Sequence, residues 1–328
     1  MCKVLITTVP FAKQNKLPLE LLAGMNVELL INPLHKKLTE NELVNMVADF
    51  DIIIAGTEPI TQKVMEAGRN LKLISRVGIG LDSVDLLAAE KMGITVAYTP
   101  EAPAPAVAEL TIGAMLTLLR STHLSNSQMH KGVWHRYLGR RLSEVTIGII
   151  GVGRIGERIL NHLEGFGCRR ILINDLVQRA DIEQKFSVEW VSKEEIYEEA
   201  DIITLHLPLT HMTRDLICSK QLLAMKKDAL LINTSRGGIV NEQDLYDVMA
   251  SQHLGGAAID VFEQEPYNGP LNKIEKCLLT AHMGSMSVDC RSSMEIQATQ
   301  EVQRFLAGNE LKSRVPNEEY EIQRQKVK

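Results

Sequence analysis

The sequence contains no run long and apolar enough to cross a bilayer. Its best candidate, Ala106 to Leu119, is interrupted by Glu109 and falls short of the ~20 residues a spanning helix needs. Nor is there a basic excess: 36 lysines and arginines against 41 aspartates and glutamates leave a net charge of -5, which argues against nucleic acid as a partner. The amino terminus, Met1-Cys2-Lys3, passes straight into a strand-like run without the basic flank, long apolar stretch and small-residue cleavage site of a signal peptide, so a cytoplasmic location is expected. Five cysteines (Cys2, Cys168, Cys218, Cys277 and Cys290) form no CxxC pair. An odd, scattered set reads as free thiols in a reducing compartment rather than as disulfides or metal ligands. What is present is ordinary globular composition, 45% hydrophobic and 23% charged, which excludes a disordered chain. The 328 residues, at roughly 100 to 200 per domain, make about two domains.

Short apolar runs alternate with helix-period segments, the pattern of parallel sheets covered by helices on both faces, so the expected fold class is α/β. Lys3 to Val9, Asp51 to Gly56, Leu71 to Val77 and Ile94 to Ala97 read as buried strands. Thr39 followed by Glu42 is a capping-box signal, and Thr61 is a cap candidate ahead of Val64 and Met65. The segment Thr99-Pro100-Glu101-Ala102-Pro103-Ala104-Pro105 cannot be helix interior and reads as a strap crossing between domains. After it, Val107 to Arg120 is apolar nearly all round, which predicts a helix buried on several sides, in the core or at a subunit interface. A second series then begins, with strands at Thr146 to Gly151, Arg170 to Asp175, Asp201 to Leu207, Ala229 to Thr234, Gly256 to Val261 and Cys277 to Ala281, and Ser192 with Glu195 capping one helix between them. These six strands suit a dinucleotide-binding sheet. The helical run Val288 to Ala307 is followed by too few strands for another domain, so it is expected to return to the first. That puts residues 1–100 with 287–328 in one discontinuous domain and 101–286 in the inserted one. The polar tail after Pro316 reads as a frayed terminus with no chemistry.

Gly151-Val152-Gly153-Arg154-Ile155-Gly156 is a GxGxxG that follows an apolar strand, opens an amphipathic helix bearing Ile159, Leu160 and Leu163, and ends 19 residues before Asp175 at the tip of the next strand. Alone the pattern is weak. In this context it predicts dinucleotide binding: Gly151 permits the tight turn, Gly153 the approach of a pyrophosphate, and Gly156 close helix packing. The helix N-terminus attracts the anion. Asp175 would accept from both ribose hydroxyls and repel a 2'-phosphate, favouring NAD, while nearby Arg179 keeps NADP open.

Chemistry with such a cofactor needs an acid/base and a clamp for a carboxylate or carbonyl at the carboxyl ends of the later strands. Arg236, in Asn233-Thr234-Ser235-Arg236-Gly237-Gly238, suits bidentate carboxylate binding. Glu265 follows the strand ending Asp260-Val261-Phe262, and His282 follows Cys277 to Ala281. Each taken singly has an ordinary alternative, a surface ion pair or a packed histidine. Taken in order, GVGRIG with Asp175, Leu205 to Thr210, INTSRGGIV (Ile232 to Val240), DVFEQEP (Asp260 to Pro266) and LLTAHMGS (Leu278 to Ser285) resemble the D-2-hydroxyacid dehydrogenase family over about Lys3 to Pro316. SRVGIGLDSVD (Ser75 to Asp85) and TPEAPAPAVAEL add to the likeness, most of all to its phosphoglycerate dehydrogenase branch. Ala281 stands where the family usually has proline.

The resemblance implies a Rossmann-type NAD-binding domain inserted into a discontinuous, flavodoxin-like substrate domain, with the cleft between them as the place of chemistry. It implies that His282 exchanges the hydroxyl proton while hydride passes between substrate carbon and nicotinamide, that Glu265 orients His282 and favours its imidazolium form, and that Arg236 binds the substrate's carboxylate and carbonyl oxygen. Backbone amides of Val77, Gly78, Ile79 and Gly80 would hold the carboxylate, and Asp260 would meet the nicotinamide carboxamide. Gly151, Gly153, Arg154, Ile155, Gly156, Asp175, His206, Pro208, Thr234 and Gly284 complete the expected cofactor contacts. No metal is expected, and a homodimer is.

The substrate is less legible. Motif similarity puts 3-phosphoglycerate first, with glyoxylate, hydroxypyruvate or another small 2-keto acid close behind. The loop Ile54 to Glu58 offers no basic residue for a phosphate, and Arg136, Arg140 and Arg141 could compensate from a neighbouring subunit or could form a solvated patch. With 46 residues after His282, no regulatory carboxyl-terminal domain is expected. A rival class is a binding protein resembling transcriptional co-repressors, in which NAD controls assembly rather than turnover.

Overall fold

A computed structural model describes residues 1–326 of the chain. It divides into two compact units, Met1–Pro103 with Met286–Lys328, and Ala104–Ser285. The crossing falls at Pro103 and Ala104 rather than at Pro100 and Glu101, because the helix Ala104–Arg120 already contains Pro105. Proline is tolerated there, since a first-turn residue has no intrahelical acceptor for its N–H.

The first unit is built on five parallel strands, β1 (Cys2–Ile6), β2 (Val27–Ile31), β3 (Ile52–Ala55), β4 (Leu73–Arg76) and β5 (Thr95–Ala97), in the order β2-β1-β3-β4-β5. That is the flavodoxin-like order. The sequence pattern predicts only four of them. β2 pairs with β1 from Cys2↔Val27 to Ile6↔Ile31, but as an edge strand it leaves Leu30 and Ile31 exposed and so lacks the fully apolar signature of its neighbours. Both predicted caps form. Thr39 accepts from the Glu42 amide while the Glu42 carboxylate accepts from the Thr39 amide, and Thr61 accepts from the Val64 amide.

The helix Val288–Leu306 packs on β3, β4 and the helix Leu17–Ala23, completing the first unit. Ser75 Oγ donates to its Ala298 carbonyl at 2.8 Å. The tail is not frayed. Tyr98 N donates to Ser313 O and Val315 N to Val96 O, so residues 313–315 extend the β5 edge antiparallel. The helix Asn317–Lys326 then packs on Leu86–Lys91 with Tyr320 buried. Its Gln323 donates to Val84 O at 2.8 Å and accepts from Leu86 N at 2.8 Å. Composition alone hides this docking, since a single tyrosine and a glutamine supply the anchor.

The second unit has seven parallel strands: β6 (Thr146–Ile150), β7 (Arg170–Asn174), β8 (Glu189–Trp190), β9 (Ile202–Leu205), β10 (Leu230–Asn233), β11 (Gly256–Ile259) and β12 (Cys277–Leu279). Their order is β12-β11-β10-β9-β6-β7-β8, a doubly wound dinucleotide-binding sheet with one added strand. The two-residue edge strand β8 takes the third-strand place of that order and has no counterpart among the six strands expected, while β12 is the strand added at the other edge. The helix Ala104–Arg120 packs on β10, β11 and the helix Arg154–Glu164, burying Ala108, Met115, Leu118 and Leu119. Its apolar character is therefore accounted for by this unit's own core.

Candidate active site

Doubly wound sheets bind ligands at the carboxyl ends of their strands, where the strand order reverses. In the second unit that point lies between β6 and β9, and the glycine turn sits on it. Gly151 has φ +98°, and a Cβ there would lie 2.3 Å from His206 O, while one on Gly156 would lie 2.2 Å from Gly151 O. Both positions exclude a side chain because backbone already occupies the space. Gly153 differs: a Cβ on it would meet nothing within 4 Å. It caps the helix Arg154–Glu164, whose first-turn N–H groups have no intrahelical acceptor. An open space beside oriented donors fits a pyrophosphate. Arg154 is exposed and Ile155 half-buried at the same helix start.

Asp175, just past β7, accepts from Val152 N at 2.7 Å and from Leu176 N at 2.6 Å, so its carboxylate lies against the turn. Arg179 is committed elsewhere. Its guanidinium pairs with Asp181 at 2.5 Å and Glu157 at 3.1 Å, and these carboxylates push its pKa up. His206 follows β9, with Nε2 2.8 Å from Thr204 Oγ1 and a buried Nδ1 that has no partner among the described residues. Burial pushes its pKa down to about 3, so the ring is neutral. Pro208 is exposed and its carbonyl accepts from Thr213 Oγ1 at 2.6 Å.

Three successive strand ends assemble the chemical groups. After β10, Asn233 Oδ1 accepts from Ser235 N and Oγ, and Asn233 Nδ2 donates to Arg236 O at 2.9 Å, which fixes the loop bearing Arg236. The half-exposed Arg236 guanidinium donates to Ser235 O at 2.6 Å. Gly237 abuts the next loop so closely that a Cβ would lie 2.1 Å from the Phe262 backbone. Thr234 is buried, its hydroxyl 2.9 Å from that of Thr111, which ties it to the helix Ala104–Arg120.

After β11, the buried Asp260 carboxylate accepts from Thr280 Oγ1 at 2.5 Å, Met283 N at 2.7 Å and Gly284 N at 2.9 Å. After β12, His282 adopts φ +51° and places Nδ1 2.9 and 3.0 Å from the two Glu265 oxygens. Glu265 also accepts from Phe262 N at 3.2 Å. Nε2 of His282 has no protein partner among the described residues, and the ring is exposed. A carboxylate-anchored imidazole with its second nitrogen outward can take up or release a proton at that nitrogen.

In the first unit, the Val77 amide is taken by Ala55 O at 2.9 Å and that of Gly78 by Thr99 Oγ1 at 2.8 Å. Ile79 and Gly80 keep amides with no protein acceptor among the described residues. Beneath them lies a residue the motif reading missed: buried Arg76 donates to Val77 O at 2.6 Å, and a Cβ on Gly78 would come within 2.9 Å of its guanidinium. Of the three candidate phosphate ligands, Arg140 pairs with Asp201 at 3.1 Å just before β9, and Arg141 N donates to Glu144 before β6. Both therefore sit at the amino edge of the second sheet, away from His282, while Arg136 is exposed. Among the described residues no cluster of His, Cys, Asp and Glu could hold a metal, and no helix is long and apolar enough to cross a membrane.

The fold and this strand-end constellation define a two-unit α/β protein with a dinucleotide-binding unit. Residues 112–284 match the model of the D-isomer specific 2-hydroxyacid dehydrogenase NAD-binding domain. The chain belongs to that family, and the cofactor of its second unit is NAD. It is 34% identical over 286 residues to a D-3-phosphoglycerate dehydrogenase of Methanocaldococcus jannaschii, matching 85% of this chain but spanning about half (54%) of that protein. It is 33% identical over 275 residues to a hydroxypyruvate reductase of Thermotoga maritima, covering 81% of this chain and 88% of the relative. The solved structure of the TT0316 protein from Thermus thermophilus superposes with a TM-score of 0.86 at 31% identity, over 96% of this chain and all of that one (100%).

Proposed function

We propose that the chain is an NAD-dependent oxidoreductase that interconverts a D-2-hydroxy acid and its 2-keto acid. The observation that carries this reading is the Glu265–His282 pair at the same sheet edge as an open dinucleotide turn. NAD, when bound, supplies the hydride acceptor, and its reduced form the donor. His282 Nε2 takes the hydroxyl proton in oxidation and returns it in reduction. Glu265 holds Nδ1 and stabilises the ring while it carries that proton. Arg236 binds the carboxylate and stabilises negative charge on the carbonyl oxygen. Asp175 selects NAD by repelling a 2'-phosphate.

For the substrate, the loop Ile54 to Glu58, which carries no basic residue, favours a small unphosphorylated 2-keto acid such as hydroxypyruvate or glyoxylate. The relative named D-3-phosphoglycerate dehydrogenase supports 3-phosphohydroxypyruvate as the second reading. Following NADH oxidation over a panel of these acids tests both. Higher kcat/KM for the unphosphorylated acids supports the first, and preference for the phosphorylated one overturns it. NADH binding with no turnover of any acid would move the chain to the co-repressor-like class.

We also propose a homodimer in which a second copy covers the segment around Trp134 and Leu138, two large apolar residues that lie exposed. Light scattering checks this: a monomeric wild type, or a Trp134→Ala, Leu138→Ala variant that dimerises as tightly, refutes the assigned face.

A further inference from the structure

We propose that Thr280 is a positioning residue. Through the Asp260 carboxylate it fixes the backbone of His282, and so the direction in which the ring presents Nε2. The inference rests on the proton-transfer role proposed above for His282.

Four donors from residues 280–284 end on Asp260. Thr280 Oγ1 and Met283 N reach Oδ1 at 2.5 and 2.7 Å, Gly284 N reaches Oδ2 at 2.9 Å, and His282 N reaches the Asp260 carbonyl at 2.8 Å. Between them His282 is held at φ +51°, a left-handed conformation unfavourable for a residue with a side chain. Such a backbone persists only when its surroundings impose it. Three of the four donors are backbone amides that any sequence supplies. The Thr280 hydroxyl is the one chosen by the sequence.

Its bond is of the stronger kind, because the acceptor is a carboxylate only 2% exposed and with no cation paired to it among the described residues. The Thr280 carbonyl also accepts from His282 N at 3.1 Å, which makes Ala281 the centre of a γ-turn. Ala281 does not have positive φ, so the turn is of the inverse form, with φ near -75°. Ala281 is exposed, and its N–H has no acceptor among the described residues. Proline, with φ fixed near -65°, therefore suits position 281 and supplies by covalent restraint what the Thr280 hydroxyl supplies by hydrogen bonding.

The test compares wild type with Thr280→Val, Thr280→Ser and the double variant Thr280→Val, Ala281→Pro. The readouts are kcat with the best 2-keto acid of the panel, NADH affinity by fluorescence, and imidazole nitrogen NMR signals assigned to His282 by their loss in His282→Gln. Thr280→Val is expected to lower kcat about tenfold to a hundredfold, the effect of one charge-assisted bond, with NADH affinity nearly unchanged and the His282 signals displaced. Thr280→Ser keeps wild-type kcat and signals, and the added proline restores most of the lost kcat.

Wild-type kcat and ring signals in Thr280→Val overturn the proposal. So does an equal loss of NADH affinity, which would make Thr280 a support of the cofactor contacts expected of Asp260 and Gly284 or of the whole unit. Failure of the proline to restore kcat overturns the backbone route. If wild type turns over no 2-keto acid, the proton-transfer reading fails, while the ring signals still decide whether Thr280 positions His282.

Discussion

At the carboxyl edge of the first unit's sheet the chain fills its own crevice, whereas at the matching edge of the second unit the crevice is open. In the first, β1 lies between β2 and β3, and the loops beyond β1 and β3 meet around Glu58. The Glu58 carboxylate is buried, accepting from Gly56 N at 2.8 Å and from the Thr7 hydroxyl. A Cβ on Gly56 would lie 2.7 Å from Glu58 Oε2. In the second, β6 lies between β7 and β9, and Gly153 faces space clear to 4 Å. Both sheets reverse strand order at their first strand, so topology provides a crevice in each. Whether a crevice binds a dinucleotide is decided by one or two residues at the turn: a glycine backed by a helix N-terminus in one case, a self-satisfied carboxylate in the other.

This contrast can be broken by substitution. The largest effect is expected from His282→Ala, which lowers turnover about a hundredfold to ten-thousandfold while NADH affinity stays near wild type. Equal loss of both would mean that the proton chemistry and the dinucleotide turn are not separable. Next, Gly153→Val is expected to weaken NADH binding about tenfold or more, because a side chain enters space that a phosphate needs, with only the fall of a few degrees in melting temperature that a poorer helix cap brings to the cofactor-free protein. A fall well beyond that of one lost cap would show that the space is structural. In the closed crevice the pattern reverses. Glu58→Ala strands the Gly56 amide, while the Thr7 hydroxyl keeps Ile54 O as an acceptor at 3.2 Å. Stability in urea unfolding falls by about 1–3 kcal/mol without a change in NADH affinity.

The smallest effect, taken per pH unit, concerns acidification. His206 titrates near 3 when folded and near 6.5 when unfolded, so the unfolded chain binds the extra proton between those values. The contribution is complete above pH ~6.5 and declines with acidification toward pH 3, by at most about 1.4 kcal/mol per pH unit. His206→Asn should flatten that part of the urea-midpoint profile, and an unchanged slope would show that other groups carry it.

Much of the second unit was legible because strand, glycine turn, helix and Asp175 fall in register. The errors gather at the strand ends. Apolar patterning carries the predicted strands to Gly151, Leu207, Thr234, Val261 and Ala281, whereas the ladders stop at Ile150, Leu205, Asn233, Ile259 and Leu279. Past the ladders of β6, β10 and β11 the next residues, Gly151, Thr234, Asp260 and Val261, remain buried, so packing persists after pairing has ended. Those extra positions include the turn, Thr234 and the approach to His282. Arg236, Glu265 and His282 gained meaning only as an ordered set of motifs. Thr280, Asn233 and Thr111 gave no signal, since a threonine or asparagine after a strand is commonplace and its use appears only when Asp260, Ser235 or Thr234 is brought against it.

The returning segment also imposes an order of events on synthesis. A chain emerging amino terminus first has every strand of the Ala104–Ser285 unit by Leu279. The first unit, though begun earlier, still lacks the helix Val288–Leu306 behind β3 and β4 and the 313–315 segment along β5. The nucleotide-binding half can therefore close on the ribosome while the older half waits with an uncovered sheet face, and that waiting interval is where a chaperone would have most to protect.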